Sequence, residues 1–280
     1  MRIYTKAGDL AFKTFTFPDG QPHFKLETYE REFDSVTVEM ALRSGSDLLT
    51  LILASDTLRN HGYSQVNLDI RYLLGARMDR AIDSTQPFTL QSIARIINSC
   101  GFSKVRILDV HSEVATRLIR NSVNIRPYAA FEQVLATLGD VIAVRPDAGA
   151  EERTSCYMNG EGFIRCSKKR DMQTGALTGF KVDEERVPYG CSVLIVDDIC
   201  DGGGTFTGLA KVLREAGAKK VYLYVTHAIL SKGPYLEGID KIFTTDSYRG
   251  KDDRIETPGG GGKLSDFGVT VIPISMKEMK

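Results

Sequence analysis

The stretch from Cys191 to Thr205, CSVLIVDDICDGGGT, constrains the fold more than any other part of this chain. Val193 to Val196 form a short apolar run rich in β-branched residues, the pattern of a buried strand. Asp197 and Asp198 close it, and Asp201, Gly202, Gly203, Gly204 and Thr205 follow. Beyond them Leu209, Val212, Leu213 and Ala216 recur at helical spacing, and Gly217 supplies a stop. The segment reads as strand, glycine loop and helix, with Thr205 at the expected N-cap.

That order of elements gathers backbone N–H groups around a small concavity at a helix N-terminus, a setting suited to phosphate. Glycine serves because a Cβ would block close approach and because such loops use positive φ. The acids have another task. Carboxylates repel a bare anion, yet they accept hydrogen bonds from sugar hydroxyls. The expected ligand is a sugar phosphate, with a metal nearby. A plain strand–helix turn with a solvated acidic corner would account for the glycines but not for three acids within five positions. Two familiar phosphate motifs do not match. Gly202 and Gly204 are followed by Thr207 where the dinucleotide fingerprint needs glycine, and Gly262-Lys263 is followed by Leu264, so it is no Walker loop.

The chain has 280 residues, enough for one large or two ordinary domains, and 42% hydrophobic content supports a normal core. Formal net charge is zero, so no global pull toward nucleic acid or an anionic membrane is implied. No apolar run approaches a membrane span, and the N-terminal residues lack a signal peptide's apolar core; a cytoplasmic protein is expected. Five cysteines with no CxxC spacing read as free thiols. Cys200, inside the glycine loop, reads as a small filler rather than an oxidation-sensitive group.

Strand and helix patterns alternate along the rest of the chain. Residues 12–17, 24–28 and 36–40 read as strands, with a Pro18-Asp19-Gly20 turn. A helix capped by Ser46 runs to Asn60 with Leu48, Leu49, Ile52, Leu53 and Thr57 on one face. A strand from Val66 to Leu74 delivers Arg77, Asp79 and Arg80 at its C-terminal end, where parallel sheets bind ligands. Thr89 opens a helix that ends at Gly101. The strand from Val105 to Val110 leads to His111 and Glu113, a polar strand end suited to metal or phosphate contact. After a short helix comes an Asn-rich connection with Pro127, the expected boundary between domains 1–127 and 128–280.

The second half repeats the alternation: a helix at Phe131–Leu138, a strand at Val141–Val144 ending near Asp147, and a strand at Gly162–Cys166. Lys168, Lys169 and Arg170 are the densest basic spot, and residues 172–179 read as a mobile loop, together a plausible lid. A strand at Val221–Val225, a helix near Tyr235, a strand at Lys241–Thr244, a flexible glycine-rich stretch at 249–263 and a last strand at Val269–Ile274 complete the pattern. The expected fold is α/β, two doubly wound, mainly parallel-sheet domains.

The Asp197–Thr205 segment resembles the phosphoribosyl diphosphate (PRPP) loop of type I phosphoribosyltransferases and PRPP synthetases. The order of the other signals resembles the PRPP synthetase (ribose-phosphate diphosphokinase) family along nearly the whole chain. Its motifs are matched by Phe17-Pro18-Asp19-Gly20-Gln21, by Ala76-Arg77-Met78-Asp79-Arg80, by Asp109-Val110-His111-Ser112-Glu113, by Arg145-Pro146-Asp147-Ala148-Gly149 and by Lys168-Lys169-Arg170. A simple phosphoribosyltransferase would have one such domain and would leave Arg77, His111 and Lys168 unexplained.

The resemblance implies transfer of the diphosphoryl group of ATP to the C1 hydroxyl of ribose 5-phosphate, giving AMP and PRPP, a nucleotide-biosynthesis precursor. It implies Mg²⁺ as cofactor, with His111 and Asp147 at the metal or its water shell. It implies that Asp201, Gly202, Gly203, Gly204 and Thr205 cradle the 5-phosphate while Asp197 and Asp198 hold ribose hydroxyls. ATP would meet Arg77, Met78 and Asp79, with Phe17, Asp19, Gly20 and Gln21 on the adenine from a neighbouring copy of a homo-oligomer. Lys168, with Arg170 beside it, would stabilise the transferring group. The alternatives are a transferase that consumes PRPP and a non-catalytic regulatory subunit. Gln21, Met78 and Gly202 depart from the family pattern of Glu, Gln and Thr.

Overall fold

The computed structural model describes residues 1–28, 33–146, 163–170, 177–182, 187–250, 254–257 and 260–279. The chain divides into two compact units, Met1–Arg126 with Ser275–Lys280, and Pro127–Ile274. The last six residues therefore go with the first unit, not with the second as a simple split of the chain would have it. Arg106 accounts for part of this, since its guanidinium donates to the Met279 carbonyl at 2.8 Å while holding Asp69 and approaching the Tyr4 hydroxyl. No helix among the described residues is long and apolar enough to cross a membrane.

The first unit is a five-stranded sheet. Its strands in chain order are β1 (Arg2–Tyr4), β4 (Ser35–Ala41), β5 (Gln65–Tyr72), β6 (Val105–Leu108) and β7 (Ser122–Ile125), and they lie side by side in that same order. β4 to β7 are parallel and β1 runs antiparallel to β4. Three helices make the crossovers: α1 (Gly45–Asn60), α2 (Thr89–Ser99) and α3 (Val114–Leu118). Val36, Val38, Val66, Leu68, Ile70, Val105 and Ile107 fall on one face of the sheet by the period of two, and they are buried there in one core with the three helices. β2 (Phe12–Thr16) and β3 (Pro22–Leu26) form a separate antiparallel hairpin.

Local chemistry moves several expected boundaries. α1 is capped by Ser44, not Ser46: the Ser44 hydroxyl accepts from the Asp47 N–H at 3.2 Å, and the Asp47 carboxylate folds back to accept from the Arg43 N–H at 2.8 Å. Its core face is Leu48, Leu51, Ala54 and Leu58, and Leu49 is exposed, so the apolar stripe is rotated from the expected one. β6 stops at Leu108 because Asp109 turns into the left-handed region, φ 45°. The Asn-rich connection holds β7, an edge strand whose alternating polar residues hid it.

The second unit is a seven-stranded sheet. Its strands are β8 (Ile142–Arg145), β9 (Ile164–Arg170), β10 (Leu177–Val182), β11 (Ser192–Cys200), β12 (Lys220–Ala228), β13 (Lys241–Thr245) and β16 (Val269–Ile272). Their spatial order is β10-β9-β8-β11-β12-β13-β16, and only β10 runs antiparallel to its neighbour. α4 (Tyr128–Leu138) covers one face and α5 (Gly204–Glu215) the other. The period of two sorts the central strand between them: Leu194 and Val196 face Phe131, Tyr224 and Phe243, whereas Val193 and Ile195 join Leu209, Leu213 and Leu223.

Three expectations for this unit are corrected. The basic run is on β9, a strand rather than a loop, and Leu177–Gly179 belong to β10; residues 171–176 lie outside the described residues. The chain around Tyr235 forms turns, not a helix. The glycine-rich stretch carries an antiparallel pair, β14 (Arg254–Thr257) with β15 (Gly260–Lys263), because glycine backbones still offer ladder hydrogen bonds.

Candidate functional site

The conspicuous feature of the second unit is the exit of β11. The two carboxylates do not follow the strand but lie within it: Asp197 pairs with Val225, Ile199 with His227 and Cys200 with Ala228. β12 is long enough to carry the ladder this far, which the apolar run alone did not reveal. Asp198 is buried at 2% exposure, whereas Asp197 is half-buried and its carboxylate accepts from the Asp198 N–H at 3.0 Å. The accessible acid at the strand end is therefore Asp197.

Asp201 and Gly202 turn the chain, and Gly203, not Thr205, is the N-cap of α5. Gly203 has φ 76°, a left-handed conformation that disfavours any Cβ, and a Cβ placed there would stand 2.2 Å from Leu236 Cδ2. The Gly203 carbonyl accepts from the Phe206 N–H at 2.9 Å and the Thr207 N–H at 3.0 Å. Gly204 and Thr205 occupy the first turn, where helical amides have no carbonyl one turn back. Thr205 thus brings its amide and its hydroxyl to the helix start, beside the positive end of the helix dipole.

Cys200 completes the strand in full burial. Desolvation, then the charges of Asp197 and Asp201, push its thiol up to about 12, so it stays a neutral thiol. Behind the strand ends lies a polar chain that sequence reasoning passed over. Ser247 Oγ donates to the Thr226 carbonyl at 2.8 Å and lies 2.8 Å from His227 Nδ1. Thr245 Oγ1 donates to the same carbonyl at 2.8 Å. The clue in the sequence was a His inside an otherwise apolar strand.

The β9–β10 hairpin meets the helix through an aromatic contact. Phe180 lies opposite Lys168 in the ladder, and its ring occupies the space beside Gly208 of α5. Positions 168 and 170 are two apart on β9, the spacing that gives residues of a strand a common face.

In the first unit the expected ATP residues sit at two places. Phe17 to Gln21 form the turn of the β2–β3 hairpin, closed by Gly20 N–H to the Phe17 carbonyl (2.8 Å) and Phe17 N–H to the Gln21 carbonyl (2.8 Å). The Asp19 carboxylate accepts from the Gln21 N–H at 3.1 Å. Phe15, Phe17 and His23 cluster there with ring centroids 4.9 to 5.6 Å apart, and Phe17 is 41% exposed. Arg77 to Arg80 follow β5; Met78 is tied to the start of α2 by the Leu90 N–H (3.2 Å), and Arg77 is exposed.

His111, half-buried, lies in the bend between β6 and α3. Its flanks are held on both sides. Arg126 pairs with buried Asp109 at 2.7 Å, the Asn124 side chain accepts from the Val110 N–H at 3.1 Å, and the Thr116 hydroxyl donates to Glu113 at 3.0 Å. The buried ion pair offsets the left-handed backbone at Asp109. Asp147 lies outside the described residues, as do its neighbours 148–162. Among the described residues no three His, Cys, Asp or Glu side chains converge as a metal cage.

Residues 160–251 match the phosphoribosyl transferase domain. A ribose-phosphate pyrophosphokinase of Thermococcus kodakarensis is 30% identical over 222 residues, covering 78% of this chain and 77% of that protein. The protein of the same name from Vibrio cholerae is 27% identical over 255 residues, covering 88% and 81%. The crystal structure of phosphoribosylpyrophosphate synthetase from Mycobacterium smegmatis superimposes with a TM-score of 0.73 at 20% identity, covering 95% of this chain and 86% of that one, a likeness of fold.

Proposed function

The chain belongs to the ribose-phosphate pyrophosphokinases, and from that premise we propose that it converts ATP and ribose 5-phosphate to AMP and PRPP. In this reaction the C1 hydroxyl oxygen attacks the β-phosphorus of ATP and loses its proton. The bond from that phosphorus to the α,β-bridging oxygen breaks, and AMP departs. Such a transfer depends on positioning and charge neutralisation rather than on a covalent intermediate.

The observation that carries the reading is the exit of β11, where a left-handed glycine cap, the open amides of a helix start and a half-buried carboxylate lie within nine residues of one chain segment. The amides and hydroxyl from Asp201 to Thr205 suit the 5-phosphate. Asp197 suits the ribose hydroxyls as acceptor, and Asp198, more buried, supports it through its own N–H. Lys168 and Arg170 are assigned to charge on the transferring diphosphoryl group. Arg77, Met78 and Asp79 are assigned to ATP. The exposed aromatic turn at Phe17, with Asp19, Gly20 and Gln21, is assigned to the adenine, reached from a neighbouring copy in a cytosolic homo-oligomer.

Mg²⁺ is assigned, within this reading, to His111 and Asp147 or to waters they hold. Mg²⁺ takes one or two protein ligands and keeps water and substrate phosphate oxygens for the rest, so it needs no three-residue cage. When bound it supplies neutralisation of the triphosphate.

The test is chromatography of AMP and PRPP formed from ATP, Mg²⁺ and ribose 5-phosphate, with wild type and Lys168→Ala. Joint release of both products, reduced about two to three orders of magnitude in the variant, is expected. No AMP from a wild type that binds ribose 5-phosphate would move the assignment to a PRPP-consuming transferase or a regulatory subunit. Activity that survives in Lys168→Ala would transfer that role to Lys169.

A further inference from the structure

The turn that follows β12 lies against the glycine loop and brings a cation to it. The Ile229 and Leu230 N–H groups both donate to the Cys200 carbonyl, at 2.8 and 3.1 Å, and the Ser231 N–H donates to the Asp201 carbonyl at 3.2 Å. Leu230 is buried with φ 51°, a left-handed conformation that a non-glycine residue keeps only when its surroundings hold it. The Gly233 N–H closes the turn on the Leu230 carbonyl at 3.0 Å, and Leu236 is packed on Gly203 a few residues later. The turn is therefore anchored on both sides.

Lys232 is at its tip, exposed at the surface. Its stem lies along Gly202: a Cβ at Gly202 would meet Lys232 Cδ and Cε at 3.4 Å and Cγ at 3.6 Å. The ammonium is one C–N bond of about 1.5 Å beyond Cε, which keeps it within roughly 5 Å of that face of the loop. No hydrogen bond or ion pair holds the ammonium elsewhere among the described residues, so it is available to a ligand.

Charge balance gives this placement a purpose. A phosphate monoester carries about −1.5 to −2 at neutral pH. The start of α5 offers about half a positive charge, and Asp197, Asp198 and Asp201 stand nearby with the opposite sign. Amides alone leave the anion undercompensated. Packing the apolar stem against glycine while the head stays in water is the usual compromise of a lysine at a surface site.

We infer that Lys232 is a further binding residue of the glycine loop, its ammonium pairing with the phosphate of a sugar phosphate and offsetting the acids of β11. This rests on the proposed function for the identity of the ligand, ribose 5-phosphate, but not for the role of the cation. Lys232 binds the phosphate equally before and during the reaction, so its loss weakens binding without slowing the chemical step.

Calorimetry of ribose 5-phosphate binding, without ATP, tests this on wild type, Lys232→Ala, Lys232→Gln and Lys232→Arg, with melting temperatures as a check on folding. Kd is expected to rise about tenfold in Lys232→Ala and in Lys232→Gln, which keeps the stem, and to stay within about threefold in Lys232→Arg. KM should follow Kd while kcat holds. The wild type should lose affinity with added salt more steeply than Lys232→Gln. Unchanged Kd in Lys232→Ala, or wild-type affinity in Lys232→Gln, overturns the inference even if PRPP is formed. Lysine-dependent binding with no AMP release upholds it and removes the pyrophosphokinase reading. A folded wild type that neither binds nor turns over the sugar phosphate overturns both.

Discussion

The ring of Phe180 on β10 fills the space beside Gly208 on α5 so closely that a Cβ at position 208 would stand 2.1 Å from Cε2 and 2.7 Å from Cδ2. Because Phe180 is the ladder partner of Lys168, this contact keys the strand bearing the basic run to the helix whose first turn forms the glycine loop.

Gly208→Ala therefore meets two opposing effects. Alanine in a helix gains about 0.5–1 kcal/mol over glycine. Overpacking an aromatic ring costs about 1–3 kcal/mol, and at this separation it prevails. A melting temperature lower by several degrees is expected, with kcat reduced more than the KM for ribose 5-phosphate, because the hairpin moves and the loop does not. Equal or raised stability in the variant would show that the ring swings aside at no cost.

Gly203→Ala combines backbone strain with a clash. The left-handed cap costs about 1–2 kcal/mol for a non-glycine residue, and Leu236 Cδ2 blocks the added carbon. Ribose 5-phosphate binding should weaken at least about tenfold. Adding Leu236→Ala relieves the clash but not the φ of 76°, so the double variant should stay weaker than Leu236→Ala alone. Calorimetry on the three variants separates the two contributions.

Asp240 ties the end of α5 to the start of β12. It accepts from Arg214 at 2.6 Å, Lys220 at 2.9 Å and the Val221 N–H at 2.8 Å. Burial pushes its carboxyl up, but the Lys220 and Val221 hydrogen bonds and the Arg214 charge together hold it below its ordinary 3.8. A depressed carboxyl stabilises the fold fully above its unfolded value and loses that contribution as pH falls through the folded value. Asp240→Asn should lower stability by about 1 kcal/mol near neutrality, and the gap to wild type should close below pH 3.8. A gap that widens in acid would contradict the assignment.

Thiol reactivity distinguishes the cysteines. Burial pushes Cys166 and Cys200 up to about 12, while Cys191 is raised less and is only half-buried. Brief iodoacetamide treatment of the native protein, read by peptide mass spectrometry, should label Cys191 ahead of Cys166 and Cys200. Labelling of Cys200 at the rate of Cys191 would mean that the end of β11 opens in solution.

The sequence by itself determined the class of fold and the class of ligand. Val193–Val196, the acids, the glycines and the helical spacing from Leu209 are local patterns, and each reports its element without help from the rest of the chain. The placement of Arg77 and His111 just beyond strand ends was likewise legible, because a strand and the residues that follow it are adjacent in the chain.

Only the tertiary structure decided where those elements stop and what meets across them. Asp197 and Asp198 became strand residues because β12 continues pairing to Ala228, and the polar β7 became a strand because β6 offered it an edge. Gly203 displaced Thr205 as the cap because Leu236, thirty-three residues on, leaves no room for a side chain there. Phe180 found Gly208, and Lys232 found Gly202, across similar separations. Pairing and close packing depend on residues brought together by the fold, and no periodicity within a single segment encodes which distant side chain will fill the space beside a glycine.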